Sequence, residues 1–297
     1  MVTARSTEAA SAGVEVGDIL MAVDDQPLEE RLQALRPFHT ASTASGLANT
    51  LLAATLRGPV ASPARLLLRG AADRRKQVSL PRQSKWRSPE REGEVFRMAS
   101  ATVGYADLAR LEVGQVEEMF RRFRDAQAIV FDMRGYPRGT AWAIAPHINT
   151  RGARYGALFS RSQVAAMSSE EAAAKYAFSQ PLPEKAGVEL YRGRTLMLID
   201  DRAISQSEHT GLFFEAAGGT IFVGSASSGA NGDVTSTTLP GGITVGFTGH
   251  DVRHADGRQL QRLGLQPDVK VEPTIAGLRA GRDEVLERAL AYAKQGR

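Results

Sequence analysis

The 297-residue chain has no cysteine. That absence excludes a disulfide, a thiolate nucleophile and any metal site built on Cys ligands, whatever the compartment. No stretch approaches the roughly 18 consecutive apolar residues of a membrane-spanning helix, so a membrane span is not expected. The opening Met1-Val2-Thr3-Ala4-Arg5 lacks the apolar core of a signal peptide. Charge of one sign is scarce as an excess. The net charge is +4, with basic and acidic residues interleaved, which argues against a nucleic-acid footprint. No group of His and carboxylate residues has metal-ligand spacing, and no metal or other cofactor is expected. The segment from Gly224 to Gly232 follows a strand pattern but lacks the Lys and Ser/Thr of a phosphate-binding loop. No internal repeat is present.

What the chain does have is alternation of strand and helix patterns, which argues for an α/β core. Residues 12–28 read as a Gly-Asp turn, a short strand and a second turn. Helical spacing follows from Leu47 to Leu56, and two strands at Leu66–Leu68 and Gln77–Leu80. The basic stretch from Arg74 to Arg91 contains Pro81 and Pro89 and reads mainly as an exposed linker. A second module opens near Phe96, with a strand around Ala101–Tyr105. Val113, Val116, Phe120 and Phe123 then form the stripe of an amphipathic helix. A buried-type strand spans Ala128–Met133. Thr140 to Arg192 reads as mixed helix and loop. A strand–helix pair runs from Thr195 to Ala217, with a strand at Thr220–Val223. Asp256-Gly257 reads as a hairpin turn after a β-rich stretch. The final helix, Arg282–Ala293, carries Val285, Leu286, Ala289, Leu290 and Ala293 on one face.

Residues 196–208, Leu-Met-Leu-Ile-Asp-Asp-Arg-Ala-Ile-Ser-Gln-Ser-Glu, are the most informative. An apolar strand hands over through a polar turn to a helix, with Ser205 at the junction. A serine there lies beside unpaired backbone N–H groups that can hold a developing oxyanion. The same residues also fit a plain N-cap at Ser205 with Glu208 closing a capping box. Local sequence leaves both readings open.

Several motifs in order resemble the tail-specific (C-terminal processing) serine peptidases, in particular their tricorn-core-like branch. Ala12 to Leu28 is similar to the centre of a PDZ domain. Ile129 to Gly139 is similar to the family's Asp-Leu-Arg-Gly-Asn-Pro-Gly-Gly loop. Ile204 to Glu208 matches its Ala-Ser-Ala-Ser-Glu. Leu239-Pro240-Gly241-Gly242, His254-Ala255-Asp256-Gly257 and Gly264 to Asp268 match later landmarks. The resemblance implies an α/β fold with a ClpP/crotonase-like catalytic domain (91–297) behind an N-terminal partial PDZ-like β module and linker (1–90). It implies peptide-bond hydrolysis through an acyl-enzyme on Ser205. The Gln206 amide and the Arg138-Gly139 loop would supply the oxyanion donors. The PDZ-like module would gate access or hold a peptide C-terminus.

Three departures qualify what the resemblance implies. Ala230 stands where processing peptidases carry a Lys base. Tyr136 and Arg138 replace the usual Asn and first Gly of the oxyanion loop. The PDZ-like module begins midway, so the chain reads as a C-terminal portion of a longer protein or a natural short form. Tricorn-like relatives bring a His base from a segment before that module, so this chain alone is expected to turn over slowly. Of its five histidines, His39 and His147 read as surface residues. His209, one helical turn past Ser205, is the candidate base or else a packing residue. His250 and His254 lie near the predicted hairpin, with His254 read as a turn residue. Glu208 reads as structural, and Asp132 with Arg134 as a pair shaping the loop. The expected partner is a polypeptide substrate, in a periplasmic or secreted setting; oligomeric state is open. The alternatives are a non-catalytic peptide- or ligand-binding relative and an esterase or acyl-transfer activity.

Overall fold

The computed structural model describes residues 1–83, 89, 91–163 and 174–295. The chain divides into two compact units, one of residues 1–93 with 272–287, the other of 94–271 with 288–297.

The first unit starts with Thr7–Ser11 (α1), capped by the Ser6 hydroxyl. Ile19–Val23 (β1), Gln26–Pro27 (β2), Pro63–Arg69 (β3) and Arg75–Pro81 (β4) form an antiparallel sheet in the order β2-β1-β3-β4. Leu28–Leu35 (α2) and Ala44–Ala54 (α3) lie between β2 and β3, and α3 is capped by Thr43. Alternate residues of β3 and β4 point inward, so Ala64, Leu66, Leu68 and Val78 join Val14 and Val23 in a small core. The linker reading of Arg74 onward gives way over Arg75–Pro81. There the alternation of Val78 with polar neighbours pairs the segment with β3. The rest of that linker lies mostly outside the described residues.

The second unit is built on a six-stranded sheet. Phe96–Ser100 (β5), Val103–Asp107 (β6), Ala128–Asp132 (β7), Arg194–Ile199 (β10), Ile221–Gly224 (β11) and Val269–Lys270 (β15) run in the order β15-β11-β10-β7-β6-β5. All neighbours are parallel except β5 with β6. Every residue of β7 is buried, as expected for a strand covered on both faces. Val116–Arg122 (α4), Ala141–Ile148 (α5) and Gln206–Gly218 (α6) make the connections. The stripe on α4 is buried at Val116, Phe120 and Phe123, while Val113 precedes the helix and is exposed.

Residues 140–192 differ from the mixed helix and loop expected. After α5 the chain forms an antiparallel hairpin, Tyr155–Gln163 (β8) with Ala174–Pro181 (β9). From Ala157 on, buried Ala157 and Phe159 alternate with half-buried Leu158 and Ser160, and the period is that of a strand. Asp251–His254 (β14) joins β8 on its other side. Val234–Leu239 (β12) and Ile243–Thr248 (β13) form a separate two-stranded ribbon. Ile275–Arg279 (α7) and Glu284–Lys294 (α8) close the chain, and Val285, Ala289 and Ala293 of α8 are buried. Among the described residues no helix is long and apolar enough to cross a membrane.

Candidate active site

Strands β7 and β10 are parallel neighbours, with Asp132 opposite Leu198. They therefore end at the same edge of the sheet, and the loops that follow them are brought together there. The Met133 amide donates to the Leu198 carbonyl at 3.0 Å. After β10 the turn is held by Arg202, which pairs with Asp200 at 2.6 Å, and by the Ala203 amide donating to the Asp200 carbonyl at 3.0 Å.

Ser205 then takes φ 55° and ψ −115°, and α6 starts at the next residue. A non-glycine residue at this φ costs roughly 1–3 kcal/mol. The strain is not offset by capping, because the Ser205 side chain makes no cap hydrogen bond. The hydroxyl is thus free of the helix end that the capping-box reading assigned to it. Ser205 and Gln206 are both half-buried.

The loop after β7 is fixed on two sides. Asp132 is fully buried and accepts from Arg134 Nε at 3.0 Å, from Arg134 Nη2 at 2.7 Å and from Tyr105 Oη at 2.9 Å. This is the loop-shaping pair read from sequence. Ser207 Oγ donates to the Gly135 carbonyl at 2.8 Å, tying the loop to the first turn of α6. Arg138 turns its side chain away, to the Ala109 carbonyl at 3.1 Å and to Glu112. Gly139 has φ 72°, and a Cβ there would lie 4.0 Å from Gln206 Nε2. The structure therefore brings Gly139 beside Gln206, in a backbone region that suits glycine.

Glu208 is fully buried. Its carboxylate accepts from Ser227 Oγ at 2.5 Å, the Gly229 amide at 2.6 Å and the Ala230 amide at 3.0 Å. Burial pushes its pKa up, against the opposing pull of these bonds and of the Ser205 backbone. Ser228 adds a bond to the Asp201 carbonyl at 2.6 Å. The loop carrying Ala230 is thus pinned both to α6 and to the turn before Ser205. Sequence reading did not find Ser227 and Ser228. The only available signal was a pair of small hydroxyl residues following β11.

His209 is buried among aromatic rings. Its ring lies 5.5 Å from Trp142, 4.5 Å from Phe213 and 5.8 Å from Phe159, between centroids. Burial lowers its pKa to about 4, opposed by the charge of Asp233. It is therefore neutral near pH 7. His254 sits elsewhere: Nδ1 lies 2.5 Å from Glu215 Oε2, and Arg258 holds the other oxygen at 2.7 Å. Burial alone would raise the Glu215 pKa, but its bonds and charge contacts with His254 and Arg258 hold it low. Glu215 is ten residues beyond Ser205 on α6, about 15 Å along the helix axis. His250 Nδ1 lies 3.3 Å from Asp233. His147 is not the surface residue expected. It is buried on the inner face of α5, stacked on Phe120 at 4.2 Å, with Nε2 3.1 Å from Glu117. His39 is half-buried, with Nδ1 2.9 Å from the Leu35 carbonyl. Among the described residues no group of His and carboxylates could hold a metal ion.

Comparison with known proteins agrees with this architecture. Mature CPAF, solved in complex with lactacystin, superposes with a TM-score of 0.68 at 13% identity, covering 94% of this chain and 78% of that one. The photosystem II D1 C-terminal processing protease gives 0.50 at 16% identity, covering 95% of this chain and 72% of that one. At these identities the likeness is one of fold, and the α/β, ClpP/crotonase-like class expected from sequence is the class observed. No curated protein sequence matches the chain. The profile of peptidase family S41 matches residues 102–271, more than half of the chain. This chain belongs to peptidase family S41.

Proposed function

We propose that the protein is a serine-type endopeptidase that hydrolyses peptide bonds through an acyl-enzyme on Ser205. The observation that carries this reading is the strained Ser205 at the β10–α6 junction, with its hydroxyl unused as a cap. Strain of this kind concentrates at functional sites. A nucleophilic serine on a sharp strand-to-helix turn is a known way to present Oγ.

In this reading Ser205 Oγ attacks the scissile carbonyl and forms the tetrahedral intermediate. The Gln206 amide, at the first position of α6, and the Gly139 amide across from it receive the oxyanion. Glu208 positions the Ala230 loop beside them. His209, one helical turn past Ser205, is the candidate base. It is neutral and able to accept, but its depressed basicity makes it a weak base. A general base contributes roughly 10²–10⁴-fold. The reading therefore predicts slow turnover by this chain. The substrate is polypeptide, as the family implies, and the setting is periplasmic or extracellular.

The test is cleavage of a reduced, carboxymethylated protein by the chain and by Ser205→Ala. Slow cleavage that disappears with the substitution supports the proposal; cleavage unchanged by it refutes Ser205 as nucleophile. A second reading, a non-catalytic peptide-binding relative, draws on Ala230 at the place of a Lys base. It predicts no cleavage from either protein.

A further inference from the structure

The ribbon formed by β12 and β13 is exposed at every residue. No charged residue lies between Val234 and Gly249. Its register sets Thr235 opposite Phe247, Thr237 opposite Val245 and Leu239 opposite Ile243. Directly opposed residues share a face, so Phe247, Val245, Ile243 and Leu239 make one side apolar. Phe247 is 53% exposed and Ile243 62%. Natural sheet edges are guarded by charges, prolines or bulges within the strands. This ribbon has none of these in its strands, and its register runs without a shift. Among the described residues neither strand has a further pairing partner.

The ribbon is rooted at the candidate site. It begins four residues past Ala230, whose amide Glu208 holds at 3.0 Å. The Gly249 amide donates to the Asp233 carbonyl at 2.7 Å, closing its base. Gln261 Nε2 braces that base through the Asn231 carbonyl and the His250 carbonyl, the latter at 2.8 Å.

An uncharged ribbon suits either a second copy of this chain or an extended polypeptide. Size decides between them. Strands of six residues span about 20 Å, and two strands about 10 Å, giving roughly 200 Å² per face. A stable protein–protein interface takes about 800 Å² from each partner. Strand addition needs no such area, because main-chain hydrogen bonds along the edge provide the affinity and alternate side chains the selectivity.

We propose that the ribbon is a docking edge on which an extended, uncharged segment of the polypeptide substrate adds as a third strand. Its apolar side chains would lie on the Phe247 face. The inference rests on the peptidase reading and deepens it by naming the substrate class: unfolded, β-prone polypeptide without charge in the docked segment.

The test uses Ser205→Ala protein, so that cleavage plays no part, and fluorescence anisotropy with three fluorescein-labelled ten-residue peptides. One is an uncharged Thr/Val peptide, one is the same with every amide N-methylated, and one has Glu at alternate positions. The uncharged peptide should bind. N-methylation, which removes the edge donors, should weaken binding at least about tenfold, as should the Glu substitutions. Adding Val245→Lys with Phe247→Lys should weaken binding of the uncharged peptide by a similar factor. Both positions are exposed, so the thermal unfolding midpoint should be unchanged. No binding of the uncharged peptide, equal binding of the N-methylated one, or full binding by the ribbon variant would overturn the proposal. So would a dimer in sedimentation velocity that the two lysines abolish, since it would assign the ribbon to a second copy. Peptide binding without turnover by the unsubstituted protein would sink the peptidase reading alone. Turnover without binding at the ribbon would sink this proposal alone.

Discussion

Glu208 Oε1 accepts the Gly229 amide at 2.6 Å, across more than twenty residues of sequence. This bond joins the first turn of α6 to the loop that carries Ala230. Removing the carboxylate leaves the Ser227 hydroxyl, the buried Gly229 amide and the half-buried Ala230 amide without this acceptor, each costing about 1–3 kcal/mol if it stays dry. Glu208→Ala should therefore lower stability by about 2–4 kcal/mol, allowing for relaxation and water entry. Urea denaturation would show this as a lower midpoint with an unchanged slope. A loss below about 0.5 kcal/mol, the usual surface value, would mean that the clamp is not closed in solution.

His209 carries a pH signature. Its pKa is lowered from 6.5 to about 4 in the fold. Between those values the unfolded chain binds the proton and the folded chain does not, so stability rises with pH through the window. The contribution is fully present above pH 6.5 and lost as pH falls toward 4, about 3 kcal/mol at one pKa unit per 1.36 kcal/mol. His209→Phe keeps an aromatic ring against Trp142 and removes the titration. Its stability should fall less between pH 7 and pH 4 than that of the unsubstituted protein. Equal losses would place the His209 ring in water.

His254 offers the contrast. Its bond to Glu215 is structural in this account, and Glu215 sits about 15 Å along the α6 axis from Ser205. His254→Ala should destabilise the fold by about 1–3 kcal/mol yet leave the rate of Ser205 acylation within about twofold. An acylation rate lowered 100-fold or more would make His254 the base.

The N-terminal unit should be the first to open. Among the described residues its core cluster is six buried aliphatic side chains without an aromatic ring, whereas the second unit buries Phe123, Phe131, Phe213 and Phe214 completely. Local stability follows buried apolar contact. Hydrogen exchange should be faster across β1 to β4 than across β7 and β10. Uniform protection would contradict this.

Much of the local structure around the candidate site was legible because local chemistry determines it. The apolar run before Ser205 and the helix after it are a strand and a helix whatever surrounds them. The Asp132–Arg134 pair lies two residues apart in one loop. What was illegible depends on distant partners. The β8–β9 hairpin alternates over few residues and is interrupted by small side chains, so its period is faint until β14 and α6 cover it. His147 is drawn inside by Phe120, which belongs to another helix. Glu208 looks like a first-turn helix acid, and only the return of the chain after β11 gives it three donors. Ser205 itself stayed ambiguous because a cap and a nucleophile use the same residue at the same place. The φ and ψ of Ser205 and its missing cap bond speak against the cap, and sequence does not report those angles.

The central claim is that Ser205 is a nucleophile flanked by oxyanion donors. The most direct measurement is reaction with a fluorophosphonate, followed by peptide mapping by mass spectrometry. The account predicts slow, single-site modification at Ser205, lost in Ser205→Ala and prevented by unfolding. No modification, or modification at another hydroxyl with Ser205 untouched, would contradict it.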